Sequence, residues 1–127
     1  MNFKIIFEQG LQPKPEAHEL KAAAIIAEYF CSDIIFLRRN INSTPDFKIK
    51  NAIWELKSPK GNSKRTIANN LRDASKQSKN VILDLSRCKM NTNSATSRTR
   101  DYLKTDTKIK KIIIITKTGN IIDSFLK

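Results

Sequence analysis

The sequence predicts an α/β domain, with a mixed central β-sheet flanked by helices. Apolar residues recur at helical spacing through 16–30, at Leu20, Ala23, Ala24, Ala27 and Phe30. Short apolar runs of strand length stand at 34–37, 81–85 and 111–116, and a period-two alternation fills 46–57. In chain order these read helix, three strands, helix, strand, helix, two strands. That order places helices on the faces of a sheet containing both parallel and antiparallel pairs.

Residues 1–13 open on a short apolar run and reach Pro13 and Pro15, which reads as an N-terminal arm or an edge strand. Pro15 suits the first turn of the helix that follows, and Cys31 ends it. Ile34-Ile35-Phe36-Leu37 is a buried strand leading to a basic turn, Arg38-Arg39-Asn40. A hairpin spans 44–60 and stops at Ser58-Pro59. The basic loop 60–65 contains Gly61 and enters a second helix at 65–78 through Ile67, Leu71 and Ala74. Val81 to Leu85 is another buried strand, 91–97 a polar loop, and a short third helix runs through Asp101, Tyr102 and Leu103. Two final strands, 111–116 and 120–125, turn at Lys117-Thr118-Gly119.

The 127 residues suffice for one domain with one core, spanning 1–127, and are too few for two. No apolar run approaches the roughly 20 residues of a membrane span, and the N-terminus meets Glu8 before any adequate signal-peptide core. If the domain is exported, a larger protein carries it. Lys and Arg number 24 against 12 acids, a net charge of +12, which favours a polyanionic partner. A Lys-, Asn- and Ile-rich composition is the competing explanation. Cys31 and Cys88 lack metal-ligand spacing and read as reduced thiols. His18 is the one histidine, so two-histidine mechanisms are excluded.

The hairpin carries the chemistry. With Lys50-Asn51 as its turn, Ile49 faces Ala52, Phe47 faces Trp54, and Asp46 faces Glu55 with both carboxylates on one side. Opposed residues have Cβ atoms about 4.5–5.5 Å apart, where like charges repel, and a divalent cation between them removes that penalty. Lys57 returns to the same face two residues on, while Trp54 and Leu56 point into the core. Asp is a poor strand former, and a glutamate flanked by Trp54 and Leu56 is costly to bury unless paired. Hard cations take oxygen ligands and keep several waters, so two carboxylates and a main-chain carbonyl are enough to hold one. Such an ion acidifies bound water and stabilises charge on phosphorus, and a lysine beside it orients the nucleophile or stabilises the transition state.

Pro45-Asp46 followed by Glu55-Leu56-Lys57 resembles the PD-(D/E)xK nuclease superfamily. The resemblance implies a restriction-endonuclease-like core over about 16–85. That family often takes a further acid from its first helix, for which Glu19 is the best candidate, with Glu16 and Glu28 as alternatives. His18 to Ala24, together with Pro-Asp-Phe at 45–47 and the run Trp54 to Pro59, looks like the C-terminal toxin domains of CdiA-type contact-dependent inhibition proteins, nearest to their tRNA-cleaving branch. Most of the chain shares this likeness, which weakens after residue 90. It implies an active site of Glu19, Asp46, Glu55 and Lys57, with Asp46 and Glu55 holding the metal: Mg²⁺, or alternatively Mn²⁺ or Zn²⁺. One departure stands out. Some members carry a glutamine and, four residues later, a tyrosine on the second helix; here Gln77 is followed by Val81, so Gln77 either contacts substrate or caps the helix.

Around the hairpin, Lys60, Lys64, Arg65, Arg72 and Lys76 form a basic stretch, and Arg65, Arg72 and Lys76 share one helix face suited to a phosphate backbone or simply to solvent. Thr66 and Ser58 are weaker phosphate donors, and Arg87, Lys89, Arg98 and Arg100 extend the same surface. The sequence therefore leads to a metal-dependent endoribonuclease toxin of bacterial competition that cleaves tRNA. A DNase with the same metal site and a non-catalytic nucleic-acid-binding module are the alternatives. A toxin implies an acidic immunity protein as partner and delivery from a larger exported protein into the cytoplasm of target cells.

Overall fold

The computed structural model describes residues 3–10, 14–38 and 46–126. Pro45, residues 39–40 of the basic turn and residues 11–13 of the N-terminal arm lie outside the described residues. The elements are β1 (Ile5–Phe7), α1 (Ala17–Phe30), β2 (Ile34–Phe36), β3 (Phe47–Ile49), β4 (Ala52–Lys57), α2 (Thr66–Ser75), β5 (Asn80–Asp84), α3 (Thr92–Leu103), β6 (Lys111–Ile115) and β7 (Ile121–Leu126). The strands form a seven-stranded mixed sheet in the order β1-β2-β3-β4-β5-β6-β7. This is the α/β architecture expected from the pattern of the chain. Among the described residues no helix is long and apolar enough to cross a membrane.

The chain packs as two compact units, Met1–Trp54 and Glu55–Lys127, which divide within β4. In the first, β1 runs parallel to β2, with Ile5 opposite Ile34 and Phe7 opposite Phe36. Carboxylates lash this pair at both ends. Asp33 Oδ1 accepts the Lys4 N–H (2.8 Å) and Glu8 Oε1 accepts the Arg38 N–H (2.7 Å). A parallel pair needs a crossover, and α1 supplies it. Glu16 is its N-cap, with Pro15 one residue outside the helix rather than in its first turn, and Cys31 closes it in the left-handed conformation at φ 51°. The buried side of α1 is Ala22, Ala23, Ile26 and Ala27. The sequence places Ala24 on that side, but Ala24 is exposed. The run Ala22-Ala23-Ala24-Ile25-Ile26-Ala27 is apolar all round, so its periodicity alone does not fix the phase; the bulk of Ile26 does.

β2 and β3 are antiparallel, as are β3 and β4. The β3–β4 register is the expected one: Phe47 opposite Trp54, Lys48 opposite Ile53, Ile49 opposite Ala52. The turn is Lys50-Asn51, with Lys50 at φ 53°.

In the second unit the latter half of β4 lies parallel to β5, and β5 parallel to β6. α2 and α3 are the two crossovers. α2 buries Ile67, Leu71 and Ala74, and these join one core cluster with Val81, Leu83, Ile112, Ile114 and Phe125. Parity along the strands puts all five on one face of the sheet. β7 returns antiparallel to β6 through a turn with Gly119 at φ 85°.

α3 corrects the sequence reading. It starts at Thr92 and absorbs the stretch expected to be a loop. Asn91 caps it, its side chain accepting the Ser94 N–H at 2.8 Å. The buried side is Ala95, Thr96 and Thr99, and the Thr99 hydroxyl donates to the Ala95 carbonyl at 2.8 Å. A helix with hydroxyls on two of its three buried residues shows little apolar periodicity; the Thr99 hydroxyl is met within the helix, while that of Thr96 is buried with no partner among the described residues. Asn91→Ala is expected to destabilise the domain by about 1 kcal/mol, read as a shift in the urea midpoint at constant m-value.

Candidate active site

β4 sorts its side chains by parity. Trp54 and Leu56 are buried at 4% and 7% exposure, as core residues. Glu55 and Lys57 take the opposite face, where they pair across the ladder with the fully buried Val81 and Leu83. Paired residues share a face, so this acid and this lysine stand in an apolar row. Glu55 is 6% exposed, and the Lys57 ammonium lies 3.5 Å from its Oε2. The ion pair offsets the cost of burying the carboxylate and fixes the lysine to a rigid strand.

Asp46 immediately precedes β3 and is 9% exposed. Its carbonyl accepts the Leu37 N–H at 3.0 Å, which anchors the backbone at the β2–β3 end. The β3–β4 ladder closes at Phe47 opposite Trp54. Asp46 is the next residue before that step and Glu55 the next one after it.

Glu19 sits in the first turn of α1. Its Oε1 accepts the Glu16 N–H at 2.8 Å, and the Glu16 side chain in turn meets the N–H of Glu19, a reciprocal capping box. The residue thus has a demonstrable structural task. Among the described residues no group of three or more His, Cys, Asp or Glu side chains is gathered as a metal cluster would require. A hard cation here would rest on two carboxylates, completed by main-chain oxygen and water.

The expected substrate-binding residues fall on the loop after β4 and along α2. Lys60, Lys64, Arg65, Arg72 and Lys76 are all exposed. Arg65 is the N-cap of α2 and Lys76 its C-cap, so the row along the helix extends about 17 Å, at 1.5 Å per residue. The Lys64 carbonyl accepts from Arg98 Nη1 at 3.3 Å, and Lys76 Nζ is 3.9 Å from Asp73. Thr66 is occupied locally, its hydroxyl accepting the Ser63 N–H (3.1 Å) and contacting Ser63 Oγ (3.0 Å). Gly61 packs so closely there that a Cβ would come within 2.7 Å of Thr66 Oγ1. Gln77 closes the end of α2 through its N–H to the Ala74 carbonyl at 2.9 Å, while its side-chain Oε1 is buried without a hydrogen-bond donor among the described residues. Cys31 is exposed, Cys88 buried, and both are free thiols.

A knot of polar residues lies at the ends of β4 and β5, outside the acids and lysine that the sequence singles out for chemistry. Asp84, 2% exposed, accepts from the Ser58 hydroxyl and from both the N–H and hydroxyl of Ser86. Arg87 Nη2 donates to the Ser58 carbonyl at 3.2 Å. An aspartate closing the apolar run 81–85 was the sequence signal for it.

The fold and the acid–lysine strand define a mixed α/β domain that carries on β4 a buried carboxylate paired with a partly exposed lysine. The model of the contact-dependent growth inhibition CdiA C-terminal domain family matches residues 43–121, well over half of the chain. The chain belongs to that family of toxin domains, and the matched region contains Asp46, Glu55 and Lys57. The fold is similar to a chain of a solved structure, the CdiA-CT/CdiI toxin and immunity complex from Burkholderia pseudomallei. The TM-score is 0.63 at 19% identity, with 91% of this chain and 92% of that chain covered. No match was found among curated proteins.

Proposed function

We propose that this toxin domain is a divalent-metal-dependent endoribonuclease acting on tRNA. The observation that carries the reading is the Glu55–Lys57 pair, 3.5 Å apart on β4. A carboxylate burdened by burial and held beside a lysine has a cost that a catalytic role explains. In this reading Asp46 and Glu55 hold the cation, Mg²⁺ being the first choice, with Mn²⁺ and Zn²⁺ as alternatives. When bound, the cation supplies Lewis-acid stabilisation of the charge that builds on phosphorus. Lys57 is oriented by Glu55 and donates to the phosphoryl group or its attacking nucleophile, and the exposed cations of loop 58–65 and α2 receive the flanking backbone. Glu19 is the third acid of the proposal, and Gln77 contacts substrate through its side-chain amide.

The CdiA-CT/CdiI pairing of the similar structure supports a cognate immunity protein for this chain too, and the net charge of +12 suits an acidic one. In this reading the domain is delivered as part of a larger exported protein, and its destination is the cytoplasm of the target cell.

The test is cleavage of total tRNA and of plasmid DNA side by side, with Mg²⁺ and with EDTA. Discrete tRNA fragments that disappear with EDTA are expected. Nicked plasmid with intact tRNA moves the assignment to a DNase, and no cleavage of either defeats it. Glu19→Gln separates the two tasks of that residue, because glutamine also completes a capping box. Lost cleavage at an unchanged melting temperature is the expected result; retained cleavage confines Glu19 to the helix cap.

A further inference from the structure

Two loops leave the carboxyl ends of the parallel strands β4 and β5, and four contacts join them. The Ser58 hydroxyl donates to Asp84 Oδ2 (3.3 Å), Arg87 Nη2 to the Ser58 carbonyl (3.2 Å), and the Cys88 thiol to the Gly61 carbonyl (3.5 Å). The fourth is the Lys89 N–H to the Lys60 carbonyl at 3.3 Å. Segment 58–61, which directly follows Lys57, is therefore fixed against 84–89. The carboxylate that these segments contain, Asp84, is buried and accepts from neutral donors, Ser58 and Ser86. Their cations lie further out. Lys60 and Lys89 are exposed and Arg87 is half-buried. None of the three is in an ion pair among the described residues, and the buried Arg87 Nε has no acceptor there.

Three like charges on two joined segments repel one another unless an anion sits between them. In open α/β sheets, ligands collect outside the carboxyl ends of parallel strands. We infer that Lys60, Arg87 and Lys89 form a phosphodiester-binding ledge for the nucleic-acid backbone, with Asp84 the positioning residue that ties its two halves together. The inference rests on the nuclease reading for its ligand class. It adds a contact surface from the β5–α3 loop that the basic row of α2 does not include. Arg87 is the directional member, since its guanidinium is already oriented by the Ser58 carbonyl and retains further donors.

The experiment reads binding alone. A fluorescein-labelled RNA stem-loop and a DNA duplex of the same stem sequence are titrated with the full 127-residue chain in EDTA, over a salt series, by fluorescence anisotropy. Lys60→Ala and Lys89→Ala should each lower the slope of log K against log salt by roughly 0.7–0.9, and Lys60→Ala/Lys89→Ala by about twice that. Arg87→Gln should weaken binding, with Arg87→Lys restoring the slope. A wild-type affinity and slope in Lys60→Ala/Lys89→Ala overturns the ledge, and because both side chains are exposed this arm stands even if Arg87→Gln fails to fold. Weakened binding of poly-glutamate with RNA and DNA binding unchanged also overturns it, in favour of an acidic protein. Since EDTA removes divalent ions throughout, failure of the catalytic reading would appear separately, as cleavage that persists without Asp46 or Glu55.

Discussion

Asp46→Asn and Glu55→Gln are each expected to lower tRNA cleavage by about 10²–10³-fold, the loss typical of deleting one preorganised electrostatic group from an active site. Both substitutions keep shape and remove charge, so what they test is the carboxylate itself. Their effects on stability should separate function from packing. Glu55 is 6% exposed and pairs across the ladder with a fully buried valine, where an ionised carboxylate is held at a cost. A neutral amide of the same size relieves that cost, so the melting temperature of Glu55→Gln should hold or rise while activity falls. A purely structural ion pair predicts the reverse, a drop in melting temperature with cleavage intact. Paired melting curves and tRNA digests decide between them, and two folded, fully active variants would sink the nuclease assignment.

The hairpin register from Phe47–Trp54 to Ile49–Ala52 is legible in the sequence because three local signals agree. Phe47 and Ile49 alternate with Lys48, Trp54 and Leu56 alternate with Glu55 and Lys57, and Lys50-Asn51 tolerates a turn, the lysine at φ 53°. Period-two patterning with one buried face admits a single register. Features built from contacts remote in the chain leave weaker local signals. Ile5–Phe7 reads from the sequence as an arm or an edge strand; it is an edge strand, and its partner β2 arrives only after a whole helix intervenes. The phase of α1 was blurred by an alanine-rich run, and α3 was hidden because Thr96 and Thr99 occupy its buried side. The Asp84 knot has one local signal, the acid itself, and its partner is remote in the chain. The aspartate looks like a strand terminator until Ser58, 26 positions earlier, is brought to 3.3 Å. Glu19 carries two readings at once: the family resemblance points to it for chemistry, and its spacing from Glu16 fits the capping box that the structure shows.

Lys57→Met is expected to abolish cleavage to a similar degree and, unlike the carboxylate variants, to destabilise the domain. Methionine keeps much of the aliphatic stem, so the change isolates the ammonium from the packing below it. Removing one partner from a fully buried ion pair costs about 3–5 kcal/mol, and exposed pairs contribute about 0–1 kcal/mol. The Lys57 side chain is 27% exposed and that of Glu55 8%, which places the expected loss between these limits, at about 1–3 kcal/mol. The penalty belongs to the carboxylate left beside an apolar strand without this cation. Adding Glu55→Gln to Lys57→Met should therefore recover most of the stability, giving a coupling energy that a double-mutant cycle in urea measures directly. Cleavage should stay lost in the double variant, since neither the metal-holding carboxylate nor the lysine returns. Recovery of stability without recovery of activity would show that the β4 pair is kept for chemistry, with the lysine stabilising the acid that the reaction needs. If the double variant is no more stable than Lys57→Met, the pair is not coupled as its 3.5 Å geometry requires, and Lys57 contributes to the fold by its stem alone.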